Sequence, residues 1–430
     1  MPLLGAVRFL ILVATLTGAA PAAVCSEEAV DADGKATPGV LTLDGAGRLS
    51  FTPQGQTRPS PSDSIAFIRF PVVPTDPFRV AFVRRLLLPN GQRVTGRLLA
   101  ADGDGLALRT PWADRLEAPR SAVVALRQPP GRLSMFEDDF SDGLKAWGVS
   151  GKPAVDGDPP VVRLSEPGQR LAYAPAEPPE AGRVGVNFRD RDAAGGRWLA
   201  ELRFQGDGEV HTLRVTLAGP GDAYEVEPPD TDGDAHRVTR SPGWHRLEVR
   251  FSGDSLAVLC DDAVLWSDLH RGPGGTLRQV SLACVETAKS GEPRGRVAFA
   301  EFALTRSVDE LPRPPGDAGQ DEVWLADGDQ LFGDIPHIGL RAVELQGRFG
   351  KRSLPWSDVR GCRFKHAAPP RPAEGPHVRL WIDSGLDQEP DILDGVLKSL
   401  DDKQLILQHP SLGELHVPRD RLRRLRPSSP

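Results

Sequence analysis

The feature that most constrains this chain is a set of glycine, leucine and proline landmarks that recurs at nearly fixed offsets. Segment 86–126 carries Gly91, Gly96, the apolar pair Leu106 and Leu108, Pro119, and then Val123 and Leu126. Segment 323–362 repeats the series as Gly328, Gly333, Val343 and Leu345, Pro355, Val359 and Cys362. A third copy has Gly395, Leu405 and Leu407, Pro418, Leu422 and Leu425, with its first glycine at Gly385, a spacing that implies an inserted loop. A weaker copy runs through Gly34, Gly39, Leu49, Phe51, Pro61, Ile65 and Ile68. Apolar residues two apart mark short strands, and Asn-Gly or Asp-Gly before the first glycine marks a tight hairpin turn that needs positive φ. The second glycine suits a bend or bulge at the corner of a small closed sheet. Four small β-barrels are predicted, at 28–71, 84–128, 320–366 and 376–427. Units this small bury too little surface to stand alone. Chain order suggests packing in pairs, 28–71 with 84–128 and 320–366 with 376–427.

Between the second and third units lies a longer stretch of different character. Its runs alternate apolar and polar residues: 183–189, 198–204, 210–217, 244–251, 255–260, 280–285 and 297–304. Each is bounded by Gly, Pro or Asp, and none of the stretch keeps a helical period. The 45 glycines and 41 prolines of the 430 residues likewise favour short turns over long helices. The predicted fold class is all-β, with a central two-sheet jelly-roll sandwich over 134–308 flanked on each side by a pair of small barrels.

Two resemblances rest on these residues. The run Leu86-Leu-Leu-Pro-Asn-Gly91, Gly96-Arg-Leu98 and Leu106-Ala-Leu108 resembles the Sm-like small β-barrel and, more loosely, SH3-like barrels. Sm-like proteins bind RNA through a loop aspartate and asparagine. Gly103-Asp104-Gly105 stands there with no asparagine, so the resemblance implies the fold alone. The sandwich opens Phe136-Glu-Asp-Asp-Phe-Ser-Asp-Gly143 before Trp147, contains Gly243-Trp-His-Arg-Leu-Glu-Val249 and closes Phe299-Ala-Glu-Phe-Ala-Leu304. It resembles concanavalin A-like (laminin G-type) jelly rolls and is similar to 3-keto-disaccharide hydrolase-like domains, which implies a glycan or other cell-surface ligand.

Arg8, the apolar run 9–16 and the Ala20-Pro21-Ala22 site read as a signal peptide over 1–22, so export to the periplasm, cell surface or medium is expected. Acylation of Cys25 as a lipoprotein is the lesser alternative. No later segment reads as membrane-spanning. A net charge of −7 supplies no basic field for nucleic acid, which leaves a glycan or cell-envelope component as the expected partner. Of the cysteines, Cys260 and Cys284 either pair as a disulfide or sit as two buried small hydrophobes.

Candidate sites follow from residue chemistry. Glu201 and Glu248 are the candidate carboxylates in the alternating runs, and a paired-carboxylate hydrolase would use such residues. Trp198 and Trp266 are the candidate sugar-stacking aromatics, whereas the jelly-roll resemblance implies that Trp244 lies in a core strand and is buried. Asp138, Asp139 and Asp142, and separately Asp230, Asp232 and Asp234, offer oxygen ligands for calcium, the one cofactor the residues suggest, while the absence of a CxxC or Cys/His cluster gives no basis for a structural zinc site. His211, His236 and His245 show no metal-like spacing, and His245 is expected to face solvent or a carboxylate. Arg419–Arg426 holds five arginines in eight residues, expected on the outer face of an edge strand or toward acidic polymers. The leading function is non-catalytic modular binding. Its alternatives are a sugar-active hydrolase and a purely structural envelope scaffold.

Overall fold

A computed structural model describes residues 27–44, 48–59, 65–71, 81–191, 197–218, 223–229, 236–239, 243–286, 296–309, 319–348, 350–365, 374–385 and 389–427. The expected signal peptide, Cys25 and Asp230, Asp232 and Asp234 lie outside these residues. Among the described residues the chain is all-β, with only single 3-10 turns beside its strands. Among the described residues no helix is long and apolar enough to cross a membrane.

The alternating runs of the central stretch all fall in strands of two sheets. One sheet orders Ala154–Asp156, Val161–Leu164, Arg296–Ser307, Gly182–Arg191, Gly243–Phe251, Leu256–Cys260 and Ala263–Asp268, with Arg132–Asp138 also on Arg296–Ser307. The other orders Gly148–Ser150, Arg170–Tyr173, Thr276–Glu286, Arg197–Gly206, Glu209–Ala218, Ala223–Glu227 and His236–Thr239. Period-2 alternation turns Val184, Val186, Phe188, Leu247 and Val249 of the first sheet toward Trp198, Ala200, Leu202, Phe204 and Leu213 of the second. These residues make the jelly-roll core.

The four repeated units share a pairing scheme. In 84–128 the strands Val83–Leu87, Arg93–Ala101, Gly105–Arg109 and Leu116–Pro119 pair in succession, and Ala125–Arg127 returns to Val83–Leu87. The third and fourth units repeat these pairings, and the first shows the first-to-second, second-to-third and last-to-first pairs. The landmark glycines explain the recurrence. The first of each pair has positive φ: 82° at Gly34, 76° at Gly91, 98° at Gly328 and 68° at Gly385. At the second, a Cβ would lie 2.3–2.7 Å from a carbonyl oxygen of the facing strand, at Gly39, Gly96, Gly333 and Gly395 alike.

The units do not pair in chain order. Ala125–Arg127 of the second unit pairs with Val359–Arg363 of the third, placing Leu126 opposite Cys362. Leu422–Pro427 of the fourth unit pairs with Ile65–Arg69 of the first, placing Leu425 opposite Ile68. The sandwich explains the first pairing. Its first strand, Arg132–Asp138, runs antiparallel beside its last, with Arg132 opposite Ser307, so the chain leaves where it entered. The sandwich is thus an insertion, and the units either side of it meet. Residues from all four units then share one hydrophobic core, which answers the weakness of each unit alone.

The two pairs are built alike. Asp321 accepts hydrogen bonds from the Ile335 amide at 2.9 Å and from Arg120 at 2.5 Å. Glu27 accepts the Leu41 amide at 2.7 Å and the Arg419 Nε at 2.7 Å. Both arginines directly follow the landmark proline of the neighbouring unit, Pro119 or Pro418. Four of the five C-terminal arginines are therefore engaged internally rather than presented on an edge, and Arg426 is exposed. Arg419 holds Glu27, Arg421 and Arg423 reach Asp383, and Arg424 stacks on Phe67 and Trp381.

Candidate functional site

Pairing register assembles a groove on the outer face of the first sandwich sheet. Arg163 lies opposite Ala298, Ala298 opposite Arg189, and Arg189 opposite Trp244, so the four form one transverse row. Their neighbours Val162, Val297, Phe188 and His245 are buried, which turns the row outward. Strands about 4.8 Å apart place Arg163 and Arg189 about 10 Å apart, with the small Ala298 as the floor between them. The resulting pocket holds 320 Å³ and is completed by the turn carrying Gly157, Asp158, Pro159 and Val161. Arg163 is paired with Asp156. Arg189 makes no ion pair or hydrogen bond through its side chain with any described residue, and its Nε is buried. A half-buried indole beside an uncommitted guanidinium can stack on a flat apolar face and chelate an anionic group at once.

The carboxylates proposed for catalysis lie on opposite faces. Glu201 projects from the outer face of the second sheet, since Ala200 and Leu202 point into the core. Glu248 projects from the outer face of the first, since Leu247 and Val249 point inward. Two packed sheets about 10 Å apart separate them, so they cannot flank one glycosidic bond. Each is also committed. Arg170, Arg203 and Arg214 stand 3.3, 2.9 and 3.1 Å from Glu201. Arg250 and Arg183 pair with Glu248. Burial pushes both carboxyls up, but the arginines outweigh it and hold both below the usual range. A general acid needs the opposite shift.

The tryptophan assignments reverse. Trp198 is fully buried, its Nε1 donating to the Leu164 carbonyl at 2.9 Å, which leaves no face for a sugar. Trp266 is half-buried against the core and against His236, with ring centroids 6.2 Å apart. Trp244, read as core, is the outward residue. The missed signal was its shared face with Arg246, Glu248 and Arg250, a polar row in which a tryptophan stands out.

The aspartates at the sandwich opening do not converge on one point. Asp138 accepts from the Phe140 amide and the Trp147 Nε1, both at 2.8 Å. Asp142 is exposed and pairs with Arg341 at 2.7 Å. Asp139 binds Ser141 and, at 2.5 Å, Arg97 of the second unit. Arg97 also pairs with the buried Glu301, while Arg84 meets Glu137 at 2.8 Å, so these acids dock the unit onto the sandwich. Neither Cys260 nor Cys284 is disulfide-bonded. They belong to different sheets rather than to neighbouring strands, so no disulfide forms.

No protein-family model and no curated protein matches the chain. Among solved structures, the Crh5 transglycosylase without ligand is 12% identical, covers 42% of this chain and 89% of its own, and has a TM-score of 0.33. The CBM2 module of the evolved Dit of Lactobacillus casei BL23 phage J-1 is 9% identical over 43% of this chain and all of its own, with a TM-score of 0.34. A Bacillus licheniformis β-glucanase is 11% identical over 42% of this chain and all of its own, with a TM-score of 0.32.

Proposed function

We propose that this chain is an exported, non-catalytic binding protein whose sandwich engages an acidic glycan in the Arg163–Ala298–Arg189–Trp244 groove. The four repeated units, read as small β-barrels, serve as a spacer and docking frame. The observation that carries the reading is Arg189, a guanidinium without a partner among the described residues beside a half-buried indole. A planar fork of donors suits a carboxylate or sulfate, and the indole suits a pyranose face. Against hydrolysis stand two arginine-bound glutamates on opposite faces.

Affinity electrophoresis through uronic-acid, sulfated and neutral polysaccharides tests this, with released reducing ends measured alongside. Retention on an acidic polymer without product is expected. W244A and R189A should each weaken it about three- to tenfold, while E201Q leaves it unchanged. Product formation abolished by E201Q would favour the hydrolase, and neither retention nor product would favour a scaffold.

A further inference from the structure

His245 is adjacent in sequence to the groove but faces away from it. Alternation turns its ring inward among Phe188 and Tyr224, at centroid distances of 5.5 and 5.9 Å. The next strand, Leu256–Cys260, pairs with Gly243–Phe251 and places Cys260 opposite Leu247, so its sulfur arrives on the same inner side. The hairpin then turns through Asp261 and Asp262, both in the left-handed region at φ 50° and 66°. That turn swings the Asp261 carboxylate back toward the ring. Its Oδ1 accepts the Arg246 amide at 2.8 Å and its Oδ2 lies 2.7 Å from His245 Nδ1.

We infer that His245, Cys260 and Asp261 form a mononuclear site for a zinc-type dication. Among the described residues this is the one group of three such side chains whose donor atoms all lie within 4.8 Å of one another. An imidazole, a thiolate and a carboxylate are the mixed donor set that zinc accepts, and calcium or magnesium does not take sulfur. Zinc bond lengths of about 2.0–2.3 Å require donors about 3.3–3.8 Å apart. An ion entering here therefore spreads Nδ1 and Oδ2 by about 0.6 Å and draws the sulfur inward. His245 and Asp261 differ in access, with side chains 5% and 37% exposed, so entry is past Asp261 and the fourth position faces water.

Cobalt(II) titration of the full chain tests the site. One equivalent should give a thiolate-to-cobalt charge-transfer band that zinc abolishes by displacement. C260S should remove the band, and D261N, at the exposed position, should weaken zinc at least about tenfold. A wild-type protein with no such band overturns the assignment without recourse to any variant. So does a band that survives in C260S, since the sulfur would then come from one of the other cysteines, Cys25, Cys284 or Cys362.

Discussion

Asp391 shows how much one buried side chain can hold together. It accepts the Thr95 amide at 2.7 Å and the Trp112 Nε1 at 3.4 Å, tying the fourth unit to the second. Full burial pushes its carboxyl from 3.8 to about 7, against the pull of those hydrogen bonds and of Arg85. Between those pH values the folded protein keeps a proton on Asp391 that the unfolded chain has released, so the contribution of this group to stability falls as pH rises through that window. Burial holds His409 down to about 4, which acts in the opposite sense over the same range. The test is therefore a difference: from pH 4 to 7 the urea midpoint of D391N should fall less, or rise more, than that of wild type, and an unchanged slope would contradict this assignment. At the same scale, which face a residue takes decided what was legible. The pattern located the strand holding Trp244 correctly, but the jelly-roll resemblance set the tryptophan in the core, against the polar row it belongs to. His245, Cys260 and Asp261 are invisible to spacing rules because a hairpin, not a short motif, brings them together.

Among elements, the landmark glycines were readable because their constraint is local. A turn with positive φ and a strand pressed against its neighbour leave the same mark in every copy. G96A must push the Arg109 carbonyl, 2.6 Å from the new Cβ, and should cost about 1–3 kcal/mol. G103A meets nothing within 4 Å and should change the denaturation midpoint little. Equal losses for the two would mean that the corner is not close-packed. The pairing of units was not readable. It depends on where the sandwich returns its chain and on ion pairs such as Arg120 with Asp321 and Arg419 with Glu27. Breaking a buried pair of this kind typically costs about 3–5 kcal/mol, enough to select one arrangement, yet its partners lie hundreds of residues apart.

At the level of the whole molecule, two hydrophobic cores meet across a charged seam. Arg84 and Arg97 of the second unit engage Glu137, Asp139 and Glu301 of the sandwich. Arg246 adds a bond at 2.7 Å to the Gly385 carbonyl of the fourth unit. The repeated units thus cover the outer-face row of Glu301, Asn187 and Arg246, and the Trp244 row is the next one along the same strands. Binding at that row is the claim on which the functional reading stands. Hydrogen–deuterium exchange with and without an acidic oligosaccharide addresses it most directly. Added protection should fall on Val161–Leu164, on the ends of Gly182–Arg191 and Arg296–Ser307 nearest Arg189 and Ala298, and on the start of Gly243–Phe251. Protection confined instead to Arg197–Gly206 and Glu209–Ala218, around Glu201, would place the ligand on the opposite face and contradict the account.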